Sequence, residues 1–355
     1  MTATQALHDL GQSLWLDNIT RTLLDDGTLE HFISELSITG LTSNPTIFEH
    51  AIMGGTAYDA AIRTKRREGK SAEQTFIELA LEDLTRAAEM LLPVHERTRG
   101  IDGWVSREVS PLLAYDTERT LAEAKRLHAQ AGRRNLMIKI PGTNEGLPAI
   151  EEAIFAGVPV NVTLLFSREQ YITAAEAYLR GIERRLAAGL EPWVGSVASL
   201  FVSRWDAAIA TTVPDALRNR LGLAIAQRTY SAYRSLLSSQ RWQRANLSRG
   251  RGQRLLWAST GTKDPKASDL LYVTSLAAPF TVNTMPEKTL LALADHGEVG
   301  SSLPSDGGSC EVLLKQFAGA GVDIDGLALR LQREGAAAFA KSWNGLMAAI
   351  EAKGA

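Results

Sequence analysis

Short apolar runs alternate with amphipathic helical segments along most of this chain, a pattern that restricts it to folds in which helical crossovers join parallel strands. Eight runs have strand character: Trp15–Asp17, Thr39–Thr42, Trp104–Val109, Leu136–Ile140, Val158–Thr163, Trp193–Ser199, Leu255–Ser259 and Phe280–Asn283. The helices between them carry readable ends. Ser71 with Gln74 and Ser167 with Gln170 fit the capping box, in which side chains satisfy the free amides of a first turn, and Gly132 and Gly189 stand where helices stop. From Ser71 to Leu92, Phe76, Ile77, Ala80, Leu84, Ala87, Ala88 and Leu91 mark one apolar face, and Pro93 is expected to break that helix.

Eight strand–helix units predict an α/β chain closed into a (β/α)8 TIM barrel. Such a barrel takes about 250 residues. The chain has 355, which leaves room for additional helices, expected within 49–92, 211–254 and 303–355. No Pro- or Ser-rich linker and no repeat with a clear period divides the sequence, so a single domain over 1–355 is expected. Gly300–Gly308 reads as a long loop. Leu327–Ala352, alanine-rich with Phe339, Trp343, Leu346 and Ile350, reads as a terminal helix packed against the barrel or across its mouth.

Composition narrows the function. Lys and Arg number 38 against 40 Asp and Glu, a formal charge of −2, so no global basic field exists to hold nucleic acid or anionic lipid. Arg241, Arg244, Arg249, Arg251 and Arg254, with Trp242 among them, read as a solvated helix end and loop rather than a nucleic-acid patch. The single cysteine, Cys310, has no internal disulfide partner, and the first ten residues, MTATQALHDL, show neither a basic start nor an apolar signal core. No apolar run approaches the roughly 18 residues of a membrane span. A cytoplasmic protein without membrane contact is expected; monomer and homodimer stay open. His8, His31, His50, His95, His128 and His296 lie far apart, and neither zinc, calcium nor nucleotide-cradle motifs occur, so no metal and no cofactor is expected.

Polar residues interrupt the strands near their carboxyl ends: Asp17 after Leu14-Trp15-Leu16, Asn44 after Leu41-Thr42-Ser43, Glu108 in Trp104–Val109, and Asn161 and Thr163 in Val160–Leu164. In a barrel those ends converge on one mouth. Each alone fits a capped loop or a satisfied buried group equally well. Lys139 stands inside Met137-Ile138-Lys139-Ile140-Pro141. If Ile138 and Ile140 face the helices, alternation turns Lys139 inward, where desolvation favours the neutral amine that attacks a carbonyl. A strand-end lysine that snorkels to water or pairs with a carboxylate fits the local sequence too.

Gly40-Leu41-Thr42-Ser43-Asn44-Pro45-Thr46-Ile47-Phe48 and Leu136–Leu147 together resemble the two signature regions of the transaldolase family. Further matching segments follow in order: Val105–Val109, Val160–Phe166, Ser199–Arg204 and Trp257–Lys263, within a resemblance spanning about Trp15 to Pro286. It implies a β/α barrel acting on sugar phosphates in the non-oxidative pentose phosphate pathway. A dihydroxyacetone unit would pass from sedoheptulose 7-phosphate or fructose 6-phosphate to glyceraldehyde 3-phosphate or erythrose 4-phosphate. By resemblance Lys139 forms the Schiff base, Asp17 takes the proton from the fourth-carbon hydroxyl, and Glu108 and Thr163 handle water and protons. Asn44, Asn161 and Ser199 hold hydroxyls of the three-carbon unit, and Arg204 and Ser259 meet phosphate.

An arginine expected soon after the serine is replaced by Thr260-Gly261-Thr262, with Lys263 as the nearest cation and candidate substitute; an exposed loop lysine fits that position equally. In the related fructose-6-phosphate aldolase-type lyases, the positions of Glu108 and Phe201 usually hold glutamine and tyrosine, so the pair present favours transfer over release. A non-catalytic phosphosugar-binding barrel is the alternative of another class, disfavoured because binding alone needs no lysine flanked by two carboxylates.

Overall fold

The computed structural model describes residues 2–248 and 250–354. Eight strands, β1 (Ser13–Leu16), β2 (Ile38–Thr42), β3 (Trp104–Glu108), β4 (Leu136–Pro141), β5 (Val160–Leu165), β6 (Ser196–Phe201), β7 (Arg254–Ala258) and β8 (Val282–Met285), form a closed barrel in sequence order. Every neighbouring pair is parallel, including β1 with β8. All eight expected runs contain strand, and their edges move. β6 starts at Ser196 instead of Trp193, whose indole packs where a Cβ on Gly100 would stand. The last strand lies later than expected because Phe280 turns at the amino end with φ of 64° and is exposed.

Alternation along the strands divides the apolar residues into two cores. Leu14, Leu16, Val105, Ile138, Ile140, Val160, Val162, Ala198 and Leu200 join the core between sheet and helices. Trp15, Trp104, Met137, Val197, Leu256 and Val282 belong to the core filling the barrel. Each fully buried side chain of this size is worth about 1.5–3 kcal/mol, so the outer face binds the helices and the inner face closes the amino end. Gly40 is required here: a Cβ would fall 2.5 Å from the Trp15 ring.

Both expected capping boxes are formed, opening helices Ala72–Arg97 and Arg168–Ala187. Gly132 and Gly189 follow their helices with φ of 57° and 68°. Pro93 does not break its helix, which continues to Arg97. Pro93 and Glu89, whose carbonyl loses its intrahelical partner, both lie on the exposed face, where that carbonyl is open to solvent, and continuation buries Val94 and His95. Within 49–92, helix Ala72–Arg97 is an ordinary crossover against β2 and β3, whereas Asp59–Arg67 and the preceding Pro45–Gly54 pack on the terminal helix. Segment 211–254 holds Leu221–Leu237 and Gln240–Leu247, and 303–355 holds Cys310–Gly319 and the terminal helix Ile324–Gly354. That helix does both things expected of it, packing on its neighbours and reaching the carboxyl ends of β4 and β5 through Gln332.

The arginine-rich stretch is less solvated than the sequence suggests. Arg241 pairs with Glu183 and Glu176, Arg251 stacks over Trp193 at 5.0 Å, and Arg254 reaches inside the amino end of the barrel to Asp102. Arg249 lies outside the described residues. Among the described residues no helix is long and apolar enough to cross a membrane.

Candidate active site

Register brings the first two site residues together. β3 and β4 pair Glu108 with Lys139, both inward, and Lys139 Nζ lies 2.9 Å from Glu108 Oε1. This is an ion contact rather than an aligned hydrogen bond. The amine also donates to the Ser43 carbonyl at 2.9 Å, so it does not stand in purely apolar surroundings, although it is only 6% exposed. Burial pushes the Glu108 carboxyl above the ordinary carboxylate range; the Lys139 charge pulls it back, and nearby Asp17 adds to the rise. A carboxylate with raised proton affinity, in contact with the amine, is suited to take its proton.

Asp17 follows β1, and its Oδ1 accepts from the Thr42 hydroxyl at 2.8 Å; Thr42 in turn meets Thr284 at 2.7 Å, fixing the carboxylate from two neighbouring strands. Asn161 bridges β3 and β6, donating from Nδ2 to Ser106 Oγ at 3.1 Å and accepting from Ser199 Oγ at 2.7 Å. Asn44 caps the helix Pro45–Gly54 with Oδ1, which accepts from the Ile47 amide at 3.1 Å and leaves the amide protons for the cavity. Thr163 is 2% exposed, yet its hydroxyl has no partner among the described residues. Buried hydroxyls are normally paired, so an orphan beside a lysine and a carboxylate is suited to bind a reacting group or water.

At the rim, the Arg204 guanidinium lies 5.0 Å above the Phe201 ring and 5.7 Å from Phe339, with no carboxylate within ion-pair distance among the described residues. Burial lowers its proton affinity, and Asp17 opposes that. A half-buried guanidinium without a carboxylate is suited to an anion from solution. Ser259 holds the left-handed conformation, φ 56°, with Oγ 2.9 Å from Ser203 Oγ. Lys263 is exposed at the edge.

Asp17, Asn44, Lys139, Thr163, Ser199, Phe201, Arg204, Ser259 and Lys263 all line one cavity of about 420 Å³, within the range of small-ligand sites. Glu108 and Asn161 stand behind it, touching Lys139 and Ser199. Sequence reasoning missed the Ser43 carbonyl, Thr42, Thr284, Ser106 and Ser203, and also His50, which lines the same cavity. Thr284 falls one residue past the expected end of the last strand, Asn283, and turns inward by alternation from Val282 once that strand runs to Met285; Ser43 had no signal, because it acts through its backbone. Phe339 was seen only as part of a terminal helix. Among the described residues no three His, Cys, Asp or Glu side chains come together as metal ligands.

A family model described as transaldolase/fructose-6-phosphate aldolase matches residues 14–350. A transaldolase of Thermobifida fusca is 45% identical over 352 residues, covering 97% of this chain and 96% of the relative. A transaldolase of Arthrobacter sp. is 43% identical over 359 residues, covering 99% and 97%, and one of Mycolicibacterium smegmatis is 42% identical over 355 residues, covering 98% and 96%. With a parallel eight-stranded barrel, a lysine–glutamate pair at its carboxyl mouth and similarity along nearly the whole length, the chain belongs to the transaldolase/fructose-6-phosphate aldolase family.

Proposed function

We propose that the chain transfers a dihydroxyacetone unit from a ketose phosphate to an aldose phosphate through a Schiff base on Lys139. The observation that carries this reading is the contact of Lys139 with Glu108 at 2.9 Å, in a cavity shared with Asp17. Glu108 accepts the amine proton, the free amine adds to the ketose carbonyl, and loss of water from the carbinolamine gives an iminium. The Thr163 hydroxyl and Glu108 manage that water. Asp17, held by Thr42, removes the proton from the fourth-carbon hydroxyl as the bond between the third and fourth carbons breaks. The iminium takes up the electron pair as an enamine and the aldose phosphate leaves. The enamine then adds to a second aldehyde, whose new hydroxyl takes its proton back from Asp17, and water hydrolyses the resulting iminium to free the ketose product and Lys139. Asn44, Asn161 and Ser199 supply donors and acceptors for its hydroxyls.

Arg204 and Ser259 meet the phosphate, with Lys263 reaching in from the rim as a mobile point charge. The whole chain acts as one barrel domain, and its substrates, soluble phosphorylated metabolites, fit a cytoplasmic site of action.

Release of free dihydroxyacetone, the lyase reaction, needs a proton for the enamine. The Phe201 ring carries no hydroxyl to supply one and packs between Phe166 at 5.3 Å and the Arg204 guanidinium at 5.0 Å. The decisive assay compares transfer from fructose 6-phosphate to erythrose 4-phosphate with release of dihydroxyacetone when no acceptor is present. Fast transfer and slow release are expected, with Phe201→Tyr shifting the balance toward release. Equal rates in the wild-type protein replace transfer with the lyase reading, and neither reaction leaves a binding barrel.

A further inference from the structure

The terminal helix Ile324–Gly354 lays Gln332, Gly335 and Phe339 toward the mouth, three and four residues apart on one face. Phe339 lies against Arg204. Gly335 approaches so closely that a Cβ would stand 2.8 Å from Leu164 Cδ2 and 3.1 Å from Arg204 Nη1. Gln332 Nε2 donates to the Gly142 carbonyl at 3.0 Å and the Leu164 carbonyl at 2.9 Å. Gly142 directly follows β4, the strand of Lys139, and Leu164 directly follows Thr163. Both protons of one amide group therefore join the ends of the two strands that carry the amine and the orphan hydroxyl.

Leu164 needs an external hold. The β5–β6 ladder shifts register between Val162 and Leu165, and Leu164 stands at φ 60°. A left-handed bulky residue persists only where its surroundings impose it. Its side chain packs in the inner core, and its carbonyl is held by Gln332.

We infer that Gln332 is a positioning residue for the reaction: by bridging Gly142 and Leu164 it fixes the bulge after Thr163 and so aims the Thr163 hydroxyl into the cavity beside Lys139. The inference rests on the role given to Thr163 above, in handling water while the Schiff base forms.

Two variants of matched size test it in the full-length protein. Gln332→Glu keeps the shape and turns the donors into acceptors facing two carbonyls; Gln332→Met removes the donors without adding charge. The readouts are the rate at which borohydride traps fructose 6-phosphate on Lys139 in a single turnover, kcat and KM for transfer, and the thermal midpoint. Misplacement of a reacting group predicts trapping and kcat about tenfold slower in the Met variant and slower still in the Glu variant at neutral pH. KM should stay within roughly twofold, because the phosphate contacts are untouched. Trapping by the Glu variant should recover in part as the pH falls, since a protonated carboxyl can donate one of the two bonds.

Normal trapping in both variants, or a lowered thermal midpoint with unchanged kcat, overturns the inference and leaves Gln332 a structural strap. Thr163→Ala separates that outcome from failure of the underlying reading. If Thr163→Ala slows trapping while Gln332→Met does not, the positioning role alone falls. If Thr163→Ala traps normally, the role of Thr163 falls and the inference falls with it.

Discussion

At the amino end of the barrel, Arg254 donates to Asp102 at 3.2 Å, to the carbonyls of Thr281 at 2.8 Å and Ile101 at 3.2 Å, and to Ser13 Oγ, while Asp102 accepts from Ser13 and from the Trp15 indole at 3.2 Å. At the carboxyl end, Lys139 meets Glu108 and one carbonyl, and among the described residues the Thr163 hydroxyl has no partner and Arg204 no carboxylate at ion-pair distance. The two clusters stand at opposite ends of one barrel, the first on β1, β7 and the turns before β3 and β8, the second on β3, β4, β5 and the helix after β6. In the first, each charge is enclosed by fixed partners, so moving a proton or admitting a ligand breaks several hydrogen bonds at once. In the second, groups are left to be completed from outside. A buried ion pair is thus uninformative by itself; what separates structure from chemistry here is whether its hydrogen-bonding capacity is already used.

The largest effect expected separates the two ends outright. Lys139→Ala should lower transfer on the order of 10³-fold or more and abolish borohydride trapping while the protein stays folded. Mass spectrometry of the peptide containing residue 139 reads the adduct, and persistent labelling elsewhere removes Lys139 as nucleophile. Asp102→Ala should do the reverse, stranding Arg254 and lowering stability by about 3–5 kcal/mol, with kcat of the folded fraction close to wild type. Denaturant unfolding measures it. A loss of kcat without a loss of stability would erase the contrast between the ends.

Arg204→Ala comes next. Removing a charge-assisted contact should raise KM for phosphorylated substrates by an amount worth about 1.5–3 kcal/mol and change turnover of unphosphorylated analogues far less. Equal losses for both would reassign the guanidinium to packing between Phe201 and Phe339.

The smallest effect is a pH slope. Because burial raises the Glu108 carboxyl in the folded state, the native protein holds that proton more tightly than the unfolded chain. The stability this contributes is complete below the unfolded value and is lost as pH rises through the folded one. Glu108→Gln has no such proton, so its stability relative to wild type should increase as pH climbs through that window. Unfolding curves from acid to neutral pH test this; a constant difference would mean that Lys139 cancels the burial effect.

Much of this molecule is written locally. Eight apolar runs, the capping residues Ser71 and Ser167 and the stops Gly132 and Gly189 act over a few residues, and alternation alone turned Lys139 inward by sending Ile138 and Ile140 to the helices. Residue types at strand ends made Asp17, Asn44, Glu108, Asn161 and Thr163 candidates, because a barrel gathers those ends whatever its loops do, but each alone fitted a cap or a satisfied group equally well and only the resemblance gave them roles. Pro93 misled, since whether a proline ends a helix depends on which side of the helix faces water.

What only the tertiary structure decided involves partners distant in sequence. That Arg254 serves the closed end while Arg204 faces the cavity depends on which carboxylates lie within ion-pair distance of each, Asp102 for the first and, among the described residues, none for the second. That the Ser43 carbonyl meets Lys139, and that Gln332 crosses from the terminal helix to Leu164, depends on backbone atoms identical in every residue. Side-chain chemistry is carried by the sequence, but whether a polar group is satisfied is a property of the space around it, and only the folded chain defines that space.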